Sequence, residues 1–382
     1  MGAKHPPTRV GLDIGTSGIR AVELRWKAKP GSFEIARAAS VDLAPGAVKN
    51  GSIVDEKSVV KALKKLWRTG HFSTRKVVLG LADSSMLTRQ VDLPWMPTAD
   101  FRAALRYQVA DSLPVDMSTV EVDYHLLAEQ HRTDDRGSVQ EVNRILVVAA
   151  NSEAVRAEAS VLRKARLIPL SADSSAFALI RTACGGRIPD HQRAQALIDM
   201  GADQLTVVIH QGGQPRFIRT IANLGGDTAT NAIAEKLSIS TDEAEELKRA
   251  TGLNGPAPIV APVAESSVFG GGTATEAAPL DERTIAAISV LNPWATTLIN
   301  EIRNSMDYFQ ATAADVTIES ILVTGRTAEL DGIIERLGTQ LPIPVRVLDP
   351  LVGLSARRRV AKDPAPDTRL AIAAGLAMAE AS

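Results

Sequence analysis

Two stretches of the chain repeat one pattern of apolar and polar positions. Leu12-Asp13-Ile14-Gly15-Thr16-Ser17-Gly18-Ile19-Arg20-Ala21-Val22 aligns with Ile198-Asp199-Met200-Gly201-Ala202-Asp203-Gln204-Leu205-Thr206-Val207-Val208. In each, apolar residues flank an aspartate, a glycine follows two positions later, and a second β-rich run begins. This predicts strand, tight turn, strand, with the Asp and Gly in the turn. The copies lie about half the chain apart, and a duplicated domain is the simplest explanation.

The surrounding pattern is α/β. Glu56–Arg68 has helical spacing of Val59, Val60, Leu63, Leu66 and Trp67, and Val77–Leu81 is a short buried strand. Ser320–Gly325 predicts a strand ending in glycine, followed by a helix over Leu330–Leu341. A last helix over Thr368–Ala379 follows Pro364, Pro366 and the N-cap Asp367.

Two segments break this rhythm. After Pro97-Thr98 a helix carries Phe101, Leu105 and Val109 on one face and stops before Pro114. Strands over Val120–Leu127 and Arg144–Ala150 follow, with polar Glu129–Glu141 as an exposed hairpin loop between them. This reads as a small α+β insertion. Gly252–Pro279, rich in Gly, Pro, Ala and Ser and including Gly270-Gly271-Gly272, reads as a mobile loop.

Composition narrows this picture only slightly. A length of 382 residues suggests about two to three domains. With 45% hydrophobic and 23% charged residues the chain is an ordinary globular one. Its net charge of −1 gives no global field toward nucleic acid or membrane. Cys184 is the only cysteine, so disulfides and cysteine metal clusters are excluded and Cys184 reads as a small hydrophobe. The start Met1–Pro7 has no apolar run behind its charge, and no stretch reaches the about 18 apolar residues of a membrane span. A cytoplasmic protein is expected.

The chemistry lies in the two turns. Glycine lets backbone N–H groups approach a phosphate closely, and Thr16 and Ser17 add hydroxyl donors. Asp13, at a strand end, can hold the hydrated Mg²⁺ that accompanies ATP. Asp199, Gly201, Ala202, Asp203 and Gln204 offer matching equipment from the other half, with Asp199 facing the metal or the attacking water. Two facing hairpins put the phosphates in a cleft between domains.

Val10–Ser17 resembles the first phosphate motif of the actin/Hsp70/sugar-kinase superfamily, Ile198–Gly201 the second, and Ile321–Gly325 the adenosine motif. Within it, the chain from about Val10 to Ala379 is similar to the PilM family of type IV pilus assembly. The likeness is carried by Leu93-Pro94-Trp95-Met96-Pro97, Leu113-Pro114, Val122–Leu127, Arg144–Ala150, Gly225-Gly226-Asp227, Ala232-Ile233-Ala234 and Asp242–Lys248. It implies duplicated actin-like (ribonuclease H-like) domains with an inserted FtsA-type subdomain and ATP in the interdomain cleft. The implied division is 8–84 with 167–195 (subdomain 1A), 85–166 (the inserted 1C), 196–228 with 316–382 (2A), and 229–315 (2B, with the loop 252–279).

The resemblance also implies partners and place. They are the N-terminal cytoplasmic peptide of a PilN-like membrane protein, docked beside the inserted subdomain, with pilus motor ATPases and self-association as further contacts. The protein would sit at the inner face of the inner membrane through partners alone, without nucleic acid. The chain departs from the family where Arg326 follows Gly325: its guanidinium either stacks on the base or partly blocks it. Tyr107-Gln108 likewise stands where relatives often carry a Glu.

Some readings stay open. Ser240 and Glu243 form a capping box and Gly252 a C′ residue, so Thr241–Thr251 is a helix whose charges pair on a solvated face. The resemblance instead takes Glu245 and Lys248 to the ribose or base. Gly225-Gly226-Asp227 is a helix entry with Asp227 as N-cap, a nucleotide contact, or both. The loops suffice for binding, whereas turnover needs an aligned water, for which Gln204, Asp203 and Asp199 are the candidates. His5, His71, His125, His131, His191 and His210 show no ligand spacing, and Arg357-Arg358-Arg359 reads as a solvated turn.

Two other functions compete. A small-molecule kinase needs a base on the acceptor, for which Asp173 is the candidate. An FtsA-like cell-division protein carries a C-terminal amphipathic anchor. The chain ends at Met378–Ser382 directly after its last predicted helix, which favours the pilus reading.

Overall fold

The computed structural model describes residues 8–28, 31–82, 86–133, 139–185, 193–255, 280–313, 316–351, 354–356 and 367–379. The chain opens with strands β1 (Thr8–Ile14), β2 (Gly18–Trp26) and β3 (Phe33–Asp42), then a short hairpin of β4 (Val48–Lys49) and β5 (Ser52–Ile53). Helix α1 (Glu56–Gly70) follows, and strand β6 (Lys76–Leu81). Asp55 caps α1 by accepting from the Ser58 N–H, and Val59, Ala62, Leu63 and Leu66 form its buried stripe.

The insertion comprises β7 (Met86–Pro94), α2 (Thr98–Gln108), β8 (Val120–Thr133) and β9 (Val139–Asn151). Its antiparallel sheet has the order β7-β9-β8. Phe101 and Leu105 of α2 pack there on Leu93, Ile145 and Val147. Here the expected loop over Glu129–Glu141 is wrong at both ends: Glu129–Thr133 pairs with Val139–Asn143 in continuous register. The exposed tip of this two-stranded arm has no alternation to betray it.

Helix α3 (Ser152–Lys164), strand β10 (Ile168–Ser174) and helix α4 (Ser175–Cys184) return the chain to the body. Val161 and Leu162 of α3 share the core of α1, β1 and β6. Although α3 follows the insertion in sequence, it packs with the first sheet.

The second half repeats the plan with β11 (Ala194–Met200), β12 (Gln204–Gln211), β13 (Gln214–Ala222), α5 (Gly226–Leu237), α6 (Thr241–Thr251) and the long α7 (Glu282–Thr312). Strand β14 (Ile318–Thr324), helix α8 (Ile333–Gln340), strands β15 (Val345–Val347) and β16 (Ser355–Ala356), and helix α9 (Ala371–Ala377) complete it. One sheet has the order β10-β6-β1-β2-β3-β16 and the other β13-β12-β11-β14-β15. In both, the central strand pairs antiparallel with the next strand in sequence and parallel on its other side. The duplication read from the turns is a duplication of topology.

Two helices cross between the halves. Leu179 and Ile180 of α4 pack with Leu197 and Val208 of the second sheet, whereas Ala373, Ala374 and Ala377 of α9 pack with Val22, Leu24 and Ile35 of the first. The approach is close enough that a Cβ on Gly11 would lie 2.0 Å from the Ala373 carbonyl oxygen. The terminal helix is shorter than expected, with a 3₁₀ turn over Thr368–Leu370 capped by Asp367. Likewise Arg326–Glu329 is a 3₁₀ turn, and α8 starts only at Ile333.

The proposed loop Gly252–Pro279 lies outside the described residues from 256 onward. Its first residues are packed, with Leu253 buried and its N–H donating to the Asp331 carbonyl at 2.9 Å. Arg357-Arg358-Arg359, His5 and His191 also lie outside the described residues. Among those described, no helix is long and apolar enough to cross a membrane.

Candidate functional site

The β1–β2 and β11–β12 turns face each other across one cleft. Its lining includes Asp13, Gly15, Thr16 and Ser17 from the first turn and Asp199, Gly201, Ala202, Asp203 and Gln204 from the second, with Gly325 and Arg326 after β14. The space between the turns is open to solvent and about 860 Å³ when counted out through its mouth. Gly18 begins β2 and accepts from the Gly15 N–H at 3.0 Å, which closes the first turn. The second closes identically, Gly201 N–H to Gln204 O at 2.9 Å.

Hairpin register decides the first loop's electrostatics. Asp13 stands directly opposite Arg20, whose guanidinium reaches the Asp13 carboxylate at 3.4 Å and the Ser17 hydroxyl at 3.1 Å. A Cβ on Gly15 would meet that guanidinium at 2.7 Å, so a larger residue there would displace the Arg20 side chain. Burial raises the Asp13 carboxyl above its ordinary range and Arg20 opposes the rise. Arg20 escaped the sequence reading, although it was legible: residues equidistant from a two-stranded turn are cross-strand partners.

In the second loop the position opposite Asp199 is Thr206, which bonds Thr220 at 3.1 Å. Burial first, then the negative Asp13, push Asp199 up to about 7, with Arg20 opposing. Gly325, at φ +92°, lies against this carboxylate: a Cβ would stand 2.5 Å from Asp199 Oδ1. The backbone conformation and the contact both require glycine. Asp203 accepts the Asn50 N–H at 2.7 Å from the β4–β5 turn, so the halves touch across the cleft at the second loop itself.

A side cavity adjoins through Ala202 and Arg326, and holds Gly226, Asp227, Glu245, Lys248 and Trp294. Lys248 is buried, and its ammonium donates to Gly226 O (3.0 Å) and Thr230 Oγ1 (2.7 Å) and pairs with Glu245 at 2.5 Å. Glu245 also pairs with Arg249 at 2.9 Å and Arg326 at 3.3 Å. Burial disfavours its charge, but Lys248, Thr230 and Arg326 outweigh that and hold it near 2. Both residues therefore line the cavity as members of an internal network, and a ligand there would exchange with those bonds.

Asp227 is not the N-cap of α5. Gly225 holds that place, and Asp227 falls in the first turn, where its N–H donates to Ala202 O at 2.7 Å. Gly225 abuts the second loop so closely that a Cβ would meet Ala202 O at 2.2 Å. Helix start and loop are thus one packed unit. The expected capping box on α6, Ser240 with Glu243, is present.

Glu158 on α3 was also missed. Burial, and then Asp13, push it up to about 8, and its Oε2 has no hydrogen-bond partner among the described residues. Asp173, the candidate kinase base, is instead ion-paired with Arg181. Cys184 is raised to about 11 by burial, which makes it a poor nucleophile.

Two β-sheets of one topology, joined by crossing helices and closing on a cleft between paired turns, define the actin-like ATPase fold. Solved structures agree: the ethanolamine utilization protein EutJ from Carboxydothermus hydrogenoformans superposes with TM-score 0.54 at 15% identity over 99% of this chain and 91% of that one. MreB5 of Spiroplasma citri bound to ADP superposes at 0.50 with 12% identity, over 96% and 94%. The structure of a PilM–PilN type IV pilus biogenesis complex superposes at 0.78 with 22% identity, covering 97% of each chain. Residues 11–264 and 283–381 match the family described as type IV pilus assembly protein PilM, and the chain belongs to that family. The cell division protein FtsA of Bacillus subtilis is 25% identical over 271 residues, 64% of this chain and 58% of that relative. The match therefore spans less than two thirds of the FtsA chain.

Proposed function

We propose that this actin-like protein of type IV pilus assembly binds ATP with Mg²⁺ between its two turns. We propose further that the nucleotide state governs its grip on the N-terminal cytoplasmic tail of a PilN-like membrane protein. The observation that carries the reading is the convergence of Asp13 and Asp199, from opposite halves, on one cleft lined by backbone turns. Asp13, Gly15–Gly18, Gly201–Gln204 and Arg20 take the phosphates, and Gly225–Asp227, Glu245, Lys248, Gly325 and Arg326 take the nucleoside.

The donor set fits a hard cation. Asp13 and Asp199 supply carboxylate oxygens, and each is raised by burial in a way that a nearby positive charge relieves. Among the described residues no group of three or more His, Cys, Asp or Glu side chains could hold a metal alone. Phosphate oxygens and water would complete the shell, as Mg²⁺ prefers. When bound, the ion neutralises phosphate charge. Any turnover would fall to Gln204 and Asp199 as the groups that orient water.

The tail would dock beside the insertion, as subdomain 1C of residues 85–166, with 8–84 and 167–195, 196–228 and 316–382, and 229–315 as the other units. The exposed Trp95, Tyr107 and Leu126 of the insertion are the contacts this reading assigns to the tail. His125 of the insertion meets Gln214 of the second sheet at 2.7 Å, a route by which cleft closure reaches the docking face. Such docking places the chain at the cytoplasmic face of the inner membrane through its partner, near pilus motor ATPases. Fluorescence anisotropy with a labelled synthetic PilN-like N-terminal peptide, with and without ATP, tests this. Saturable binding that ATP changes is expected. No binding in either condition removes the partner, and equal binding in both removes the coupling.

A further inference from the structure

Outside the cleft, one feature of the surface stands apart from a chain of net charge −1. Lys57, Lys61, Lys64, Lys65 and Arg68 are all exposed on α1. At 100° per residue they fall in one stripe about 100° wide and about 16 Å long, opposite the buried Val59, Leu63 and Leu66. A solvated helix face normally alternates charge, because like charges three and four apart repel. This stripe is unmixed, and none of the five residues is ion-paired among the described residues. Lys164 borders it from α3, paired with Glu56.

We propose that this face is a docking surface for an anionic lipid bilayer, through headgroup phosphates. The hollow beside the stripe is open, and besides the cations it is lined by Asp55, Glu56 and Val60. Lysine outnumbers arginine four to one along the stripe, which suits loose contact with many phosphates over forked recognition of one. Trp67 and Phe72, in tilted contact at 5.0 Å, lie off the stripe and line the next hollow. A rigid, straight row of cations matches a flat anionic surface. The contact is electrostatic only, since the apolar face of α1 is used in the core.

The test is flotation of the full chain, without peptide or nucleotide, with vesicles of phosphatidylcholine containing about a third phosphatidylglycerol. Binding to these and not to pure phosphatidylcholine is expected, with loss at high salt. The combined Lys61→Gln, Lys64→Gln, Lys65→Gln variant should bind roughly 100-fold more weakly, at about fivefold per lysine. Its thermal midpoint and ATP affinity should not change, because the three side chains touch neither core nor cleft. Equal binding by variant and wild type, or no preference for anionic vesicles, would overturn the proposal. So would capture of a DNA duplex or poly-glutamate at equal charge concentration when vesicles are ignored. Failure here leaves the nucleotide and tail readings untouched, since the assay contains neither ligand.

Discussion

The two turns share a topology and differ in what stands opposite the aspartate: Arg20 faces Asp13, and Thr206 faces Asp199. A cation in the first hairpin partly opposes the burial of its own carboxylate and, from across the cleft, that of Asp199, whose own hairpin offers only a hydroxyl. Burial and the neighbouring Asp13 push Asp199 up to about 7, and burial raises Asp13 against the pull of its own guanidinium. Duplication has supplied two equivalent scaffolds, and single residues have made them unequal. On the proposed reading, the first turn meets phosphate with a permanent positive charge. The second offers a carboxylate whose charge depends on pH and on what is bound.

The largest difference between the halves is expected at the glycines beside the two turns. Gly325→Ala forces a left-handed residue against Asp199 and should cost on the order of 1–3 kcal/mol in a denaturant titration. Gly80→Ala, at the corresponding strand of the first half, meets side-chain atoms alone, Leu376 the nearest at 2.8 Å, and should cost less. An equal loss from both would mean that the second loop is not the more constrained.

The pH dependence sharpens the contrast. Asp199 binds its proton more tightly folded than unfolded, so its stabilisation is complete below about pH 4 and lost as pH rises through about 7. The thermal midpoint of the nucleotide-free protein should fall over that window, and Asp199→Asn should flatten the fall. An unchanged slope in the variant would assign the titration elsewhere, with Glu158 the next group to replace.

A smaller effect probes the arginine. Arg20→Gln removes one charged contact and should weaken ATP binding about tenfold by calorimetry, as loss of a hydrogen bond to a charged group does. Thr206→Ser should leave it unchanged. The least change is expected from Ser240→Ala, which removes the α6 cap and should cost about 1 kcal/mol without altering either turn.

Much of this was legible because turns and caps are local. The Asp-x-Gly repeats, the Ser240–Glu243 box, the Asp367 cap and the α1 stripe depend on neighbours within a few residues. What escaped depends on distant chain. The exchange of α4 and α9 between halves is set by packing of small residues, with Gly11 against Ala373 and Gly375 against Ala178. The Asn50–Asp203 contact joins residues far apart in sequence. The internal ion pairs of Lys248 were hidden for the same reason, as was the β8–β9 arm, whose polar strands carry no periodic signal.

The central claim is that Asp13 and Asp199 serve one nucleotide from two sides. Calorimetric titration of Mg-ATP into wild type and Asp13→Ala tests it most directly. One saturable site is expected in the wild type, and at least about 100-fold weaker binding in the variant, by loss of charge-assisted contacts. Equal affinity in the two proteins would contradict it.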